Sequence, residues 1–232
     1  MNRYEREFTN YKNIVARAYE KYSVIGAATR NRAFDEVSDR ELHLTDIGIS
    51  EEVPLEWFGN PAVCPEPYFY DIGRNIAIGE ENYLVQNIRE KAETEPISIS
   101  STRPAEILRI ASEFVHEGFI EPVLFIPAEL SVPLYVEAQG IDFTDNGEFL
   151  RISPARRAQI FLTSKYVRLN DLLLVDKSFG EWVFEQGNYS KTLTIDMIPT
   201  ESETVRTHVK TRVFYKVMTP DAARILRLVP EG

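Results

Sequence analysis

From Thr204 to Met218 the chain alternates for longer than almost any other pattern would allow. Val205, Thr207, Val209, Thr211, Val213, Tyr215 and Val217 fall on one face, and Arg206, His208, Lys210, Arg212, Phe214 and Lys216 on the other. Period-two alternation is the signature of a strand covered on one side. At about 3.3 Å per residue this strand would run about 45–50 Å, against a usual length of about 3–10 residues. A small core has no need of so long a strand, so the run predicts a subunit that reaches along a neighbour. Shorter runs precede it. Residues 191–198 and Glu181 to Glu185 also alternate, Asp171 to Asp176 reads as a buried strand with polar ends, and a run opens before Phe161. After Pro220 come a turn or helix at 221–224 and a last strand at 225–229. The C-terminal third is therefore β-rich.

Upstream, 101–135 predicts a mixed α/β core. Ser101 or Thr102 caps a helix, Pro104 fits its first turn, and Ile107, Ile110, Ala111, Phe114 and Val115 share one face. Gly118 stops it, and Val123 to Ile126 follow as a strand covered on both faces. Pro127 ends that strand, and a short Pro-interrupted helix or turn comes next.

The N-terminal third predicts one clear element. Residues 3–23 form an amphipathic helix whose stripe is Phe8, Tyr11, Val15, Tyr19 and Tyr22. The stripe must dock either on its own core or on a neighbouring subunit, and both readings stand. Residues 26–41 read as a polar loop or arm. Residues 43–79, broken by Pro54, Pro61, Pro65 and Pro67 and rich in aromatics, read as an extended ordered segment buried against another surface. A short second helix is expected at 80–91, with Tyr83, Leu84, Asn87 and Ile88 on one side. The expected divisions are 1–40, N-terminal helix and arm; 41–100, aromatic and proline-rich segment with a short helix; 101–176, an α/β domain; and 177–232, a β return.

Chemistry is sparse. The 26 basic and 36 acidic side chains leave a net charge of −10, which repels nucleic-acid phosphate, and Arg156-Arg157 with the scattered Arg103, Arg109, Arg151 and Arg168 make no basic tract. No specific nucleic-acid binding is expected. Gly73 and Gly79 lack the pattern of a phosphate-cradling loop. Asp142, Asp145 and Glu148 lack the ligand ladder of a calcium loop, so 140–149 reads as a solvated turn. Cys64 is the single cysteine, which suits a reducing, cytoplasmic setting and reads as structural or incidental. The first residues are charged where a signal peptide is apolar, and no run approaches the ~20 residues of a membrane span. His43, His116 and His208 show no spacing that makes a triad or metal site. No catalytic, cofactor-binding or metal residue is assigned, no cofactor is expected, and the chain reads as non-enzymatic.

The order of these elements carries a resemblance. A capped helix, the Val123–Pro127 strand, a short helix, the Asp171–Asp176 strand and the long alternating strand end in Thr219-Pro220-Asp221-Ala222-Ala223 followed by Ile225-Leu226-Arg227-Leu228. This resembles encapsulin nanocompartment shell proteins and the tailed-phage major capsid proteins, well over 101–232 and weakly over 8–40. The resemblance implies an α+β, HK97-like capsid fold: an axial domain, peripheral β-rich return strands, an N-terminal helix and an extended arm. In encapsulins that N-terminal segment lines the shell interior near bound cargo. The function so implied is a self-assembling shell subunit, many copies closing with icosahedral symmetry around a cargo enzyme. A phage or provirus capsid protein is the alternative, as is a smaller ring of the same fold that binds a metabolic enzyme. Residues 43–100 show no long helix backing the peripheral domain, which would make this a reduced member.

Overall fold

The structure, a computed structural model, describes residues 3–37, 42–58, 60, 63, 65–99, 119, 121–127, 141–143, 150–152, 159–162 and 171–229. Its chain clusters into two compact units: Met1–Ile25, Asn31–Glu80 and Trp182–Phe214 in the first, Gly26–Arg30, Glu81–Glu181 and Tyr215–Gly232 in the second.

In the first unit, helix α1 spans Arg3–Tyr22 and the short α2 begins at Ile25, ending at Ala28. Strand β1 is Arg30–Ala33 and β2 is Thr45–Pro54. Helix α3, Glu66–Lys91, starts here and continues into the second unit. The long alternating run is a strand as expected, Thr204–Val217, labelled β11 in chain order after β3–β10 below. Its inner face buries Val205, Thr207, Val209, Thr211 and Val213. Strands β9 (Gly180–Phe184) and β10 (Thr194–Pro199) also pair in this sheet.

Here the first expectation is corrected. The long strand does not leave its own chain in search of cover. Strand β10 pairs with Val205 to Lys210 and β2 pairs with Thr204 to Val213, so the two flank it on opposite edges, both antiparallel. Strand β9 covers the C-terminal stretch, with the Glu185 N–H donating to the Arg212 carbonyl. A strand of 14 residues is satisfied by three shorter ones. Gly48 permits the fit on β2, because a Cβ there would stand 2.7 Å from Cβ of Lys210.

The aromatic stripe of α1 is likewise covered by its own unit. Phe8 meets Phe58 edge-to-face at 4.7 Å, and Tyr11 stacks on Phe69 at 4.7 Å. Such pairs are each worth about 0.5–1.5 kcal/mol beyond area burial. Val15, Ile72, Ile76, Leu193, Ile195, Val205 and Val209 complete one core with them. Of the two docking surfaces left open for the helix, the structure presents its own core.

The reading of 43–79 as an irregular extended segment, with a short helix after it, is also corrected. Residues 45–54 are a strand and 66–91 a single helix of 26 residues. Pro67 lies in the helix's first turn, where its missing N–H costs nothing. Gly73 serves close approach: a Cβ there would lie 2.1 Å from the Val15 carbonyl oxygen of α1. Residues 43–100 thus contain a long helix, contrary to the expectation of none.

The second unit holds a five-stranded sheet in the order β3-β12-β8-β4-β7. These are Ile97–Ile99, Ala223–Leu228, Asp171–Asp176, Pro122–Ile126 and Gln159–Leu162. Every residue of β4 and β8 is buried, as their unbroken apolar runs predict. Strand β8 pairs antiparallel with both β4 and β12, while β7 runs parallel to β4 and β3 parallel to β12. The polar ends of β8 are spent structurally. Asp171 takes Arg89 at 2.8 Å and Arg227 at 3.1 Å, and Asp176 accepts the N–H groups of Glu121 and Ser178. A small hairpin, β5 (Ile141–Phe143) with β6 (Leu150–Ile152), flanks the expected turn, whose tip lies outside the described residues. The helix expected over 101–118 lies outside them as well.

Candidate functional site

Three features of the first unit could carry function: a groove on α1, a polar hollow near the β10–β11 turn, and a buried carboxyl on α3.

The groove lies between α1 and the first turn of α3. Its lining is Ile14 and Arg17 from the helix with Glu66, Pro67 and Tyr70 opposite, enclosing about 460 Å³. Ile14 and Tyr70 are only partly covered and Arg17 is exposed, so an apolar floor meets one positive and one negative rim group. A short segment with apolar side chains suits such a floor. The second hollow, about 630 Å³, is lined by Tyr4, Pro54, Leu55, Glu56, Phe58, Asn60, Ser202 and Glu203. Glu56 and Glu203 make its rim acidic.

The outer face of the β10-β11-β2 sheet is a ladder of charge. Arg212 is held between Asp46 at 2.8 Å and Glu185 at 2.9 Å, and Arg206 reaches Glu52 at 3.2 Å. The two carboxylates beside Arg212 push its already high pKa further up. These pairs satisfy one another.

Glu80 is the unusual residue. The apolar stripe of α3 runs Phe69, Ile72, Ile76, and four residues on places Glu80 where a hydrophobic side chain is expected, before Leu84. Its side chain is 0 % exposed. The Tyr19 hydroxyl donates to both carboxyl oxygens, at 3.1 and 2.9 Å, and shares a 2.9 Å hydrogen bond with Thr192. Burial raises the Glu80 pKa from 4.5 to about 7, with the Tyr19 and Thr211 hydroxyls pulling the other way. Tyr19 is itself pushed above its ordinary value, first by burial and then by the neighbouring carboxylate. Sequence reasoning missed this residue; its signal was a glutamate at a stripe position.

The residues weighed beforehand do not converge. His43 is exposed ahead of β2, and His208 sits opposite Ser50, well along the paired strands. His116 and Cys64 lie outside the described residues. Among the described residues no three His, Cys, Asp or Glu side chains gather to hold a metal ion. Gly73 and Gly79 lie inside α3, where they admit α1 and Ile47. No described helix is long and apolar enough to cross a membrane.

This arrangement of long helix, long paired strand and buried mixed sheet is the HK97-like capsid fold. The virus-like particle from Pyrococcus furiosus is similar to this chain with a TM-score of 0.67 at 14% identity, over 95% of this chain and 99% of that one. The capsid of Cyanophage P-SCSP1u gives 0.58 at 10% identity over 90% and 88% of the two chains. The holo-SrpI encapsulin complex from Synechococcus elongatus PCC 7942 gives 0.55 at 15% identity over 82% and 76%. The α+β architecture and the resemblance to encapsulin and capsid shells are therefore shown at the level of fold. No protein-family model matches the sequence, and no curated protein matches it.

Proposed function

We propose that the chain is a shell subunit: many copies associate by repeated contacts that close around symmetry axes, and the resulting cage encloses a cargo protein. The observation that carries this reading is the end-to-end likeness to a virus-like particle, which spans 95% of this chain and 99% of that one. Helix α1 and strand β11 are themselves covered within the chain. The subunit itself is non-enzymatic in this proposal. The 460 Å³ groove on α1 supports the cargo part, because a short apolar peptide tail fits its floor of Ile14, Pro67 and Tyr70. The expected divisions at 40, 100 and 176 belong to the same proposal, as does a cytoplasmic location.

Size-exclusion chromatography with electron microscopy tests the assembly. Closed particles are expected, and a 26.7 kDa monomer or a small dimer would reject it. The likeness to a cyanophage capsid favours one second reading, a nucleic-acid container of viral origin. Particle contents discriminate. Protein cargo supports the cage, and nuclease-protected nucleic acid supports the capsid.

A further inference from the structure

We propose that Glu80, Tyr19 and Thr192 form a proton-operated latch on the N-terminal helix: with the Glu80 carboxyl protonated α1 is held, and loss of that proton inside the dry site loosens it. This inference concerns the chain's own helix and does not depend on the shell reading.

The geometry supplies the device. Glu80 is fully buried and reaches α1 through the Tyr19 hydroxyl, which contacts both of its oxygens. Thr192, before β10, fixes the far side of that hydroxyl at 2.9 Å. Tyr19 is the one titratable group facing Glu80 among the described residues. Strand β11 presents the neutral Thr211 hydroxyl, and β2 places Ile47 against the adjacent Gly79. No described cation makes an ion pair with Glu80. A buried carboxylate without a cation is costly, because hydroxyl donors replace only part of its hydration. A neutral carboxyl avoids that cost and keeps the Tyr19 contact. Three elements, α1, α3 and β11, thus meet at a group whose charge state alters their fit.

The sign follows from proton linkage. The group sits at about 7 when the helix is seated and at 4.5 when the site is open to water. Seating therefore takes up a proton between those values. It is strongest at or below about 4.5, weakens as pH rises, and levels off above about 7. From pH 6 to pH 8 the opening constant should rise about tenfold.

Hydrogen–deuterium exchange on the full-length protein, corrected for intrinsic rates, reads this directly. In the wild type, opening of residues 3–22 should increase about tenfold between pH 6 and pH 8, while 122–126 and 171–176 stay unchanged. Glu80→Gln removes the ionisation and should make α1 opening equal at the two pH values. Tyr19→Phe should open α1 more at both, and most at pH 8. A wild-type α1 whose opening does not change, or changes only in step with 122–126 and 171–176, overturns the latch without need of any variant. So does a Glu80→Gln protein that keeps the wild-type response.

Discussion

The sheet around β11 and the sheet around β8 are built on different rules. Strand β8 is buried at all six positions and lies between two other strands, with Leu173 opposite Phe125 on one side and Ile225 on the other. Strand β11 alternates, with its inner face on a core and its outer face a ladder of ion pairs. Strand β8 keeps its carboxylates at its two ends, with Asp171 paired to Arg89 and Arg227, whereas the β11 unit admits a carboxyl into its core. The contrast teaches where pH can act. The interior positions of β8, Leu172 to Val175, rest on apolar burial, which does not titrate. The β11 unit rests partly on a proton.

The largest expected effect falls on the apolar sheet. Leu173→Ala removes a fully buried side chain and should cost about 2–5 kcal/mol, measured by denaturant unfolding, with little dependence on pH. A pH-dependent loss there would break the contrast. Next is Gly73→Ala, which drives a methyl into the Val15 carbonyl at the α1–α3 crossing. It should cost about 1–3 kcal/mol and expose α1 to proteolysis before it affects 171–176.

Glu80→Gln sharpens the comparison by its pH dependence. The wild-type melting temperature should fall as pH rises through about 7, because the folded carboxyl lies above its unfolded value of 4.5 and the native state holds the extra proton. The variant should match the wild type near pH 5 and exceed it at pH 8. The smallest effect belongs to the outer ladder. Arg206 and Glu52 are 61% and 49% exposed, so Arg206→Ala should cost less than about 1 kcal/mol and the loss should shrink in salt.

What sequence could disclose follows the same division. Strands β4 and β8 were legible because unbroken apolar runs with polar ends have few other uses. Helix α1 and strand β11 were legible from period alone. What β11 pairs with was not, since β2 carries Gly48, Glu51, Glu52 and Pro54 and looks unlike a strand until Lys210 is placed against it. With that partner hidden, the length of β11 points to a neighbour. Helix α3 was hidden by Pro67, Gly73 and Gly79, residues that break helices in general. Here one occupies a tolerated first turn and two make room for other elements. Glu80 escaped notice because a glutamate on a helix is ordinarily solvated, and only packing reveals that this one is not.

The central claim, that this fold serves as a repeating wall, is tested most directly by the native mass of the purified full-length protein under conditions that preserve assemblies. Closed particles of many copies, visible as uniform shells by electron microscopy, are the predicted result. A well-folded chain that remains at 26.7 kDa across all concentrations would contradict it.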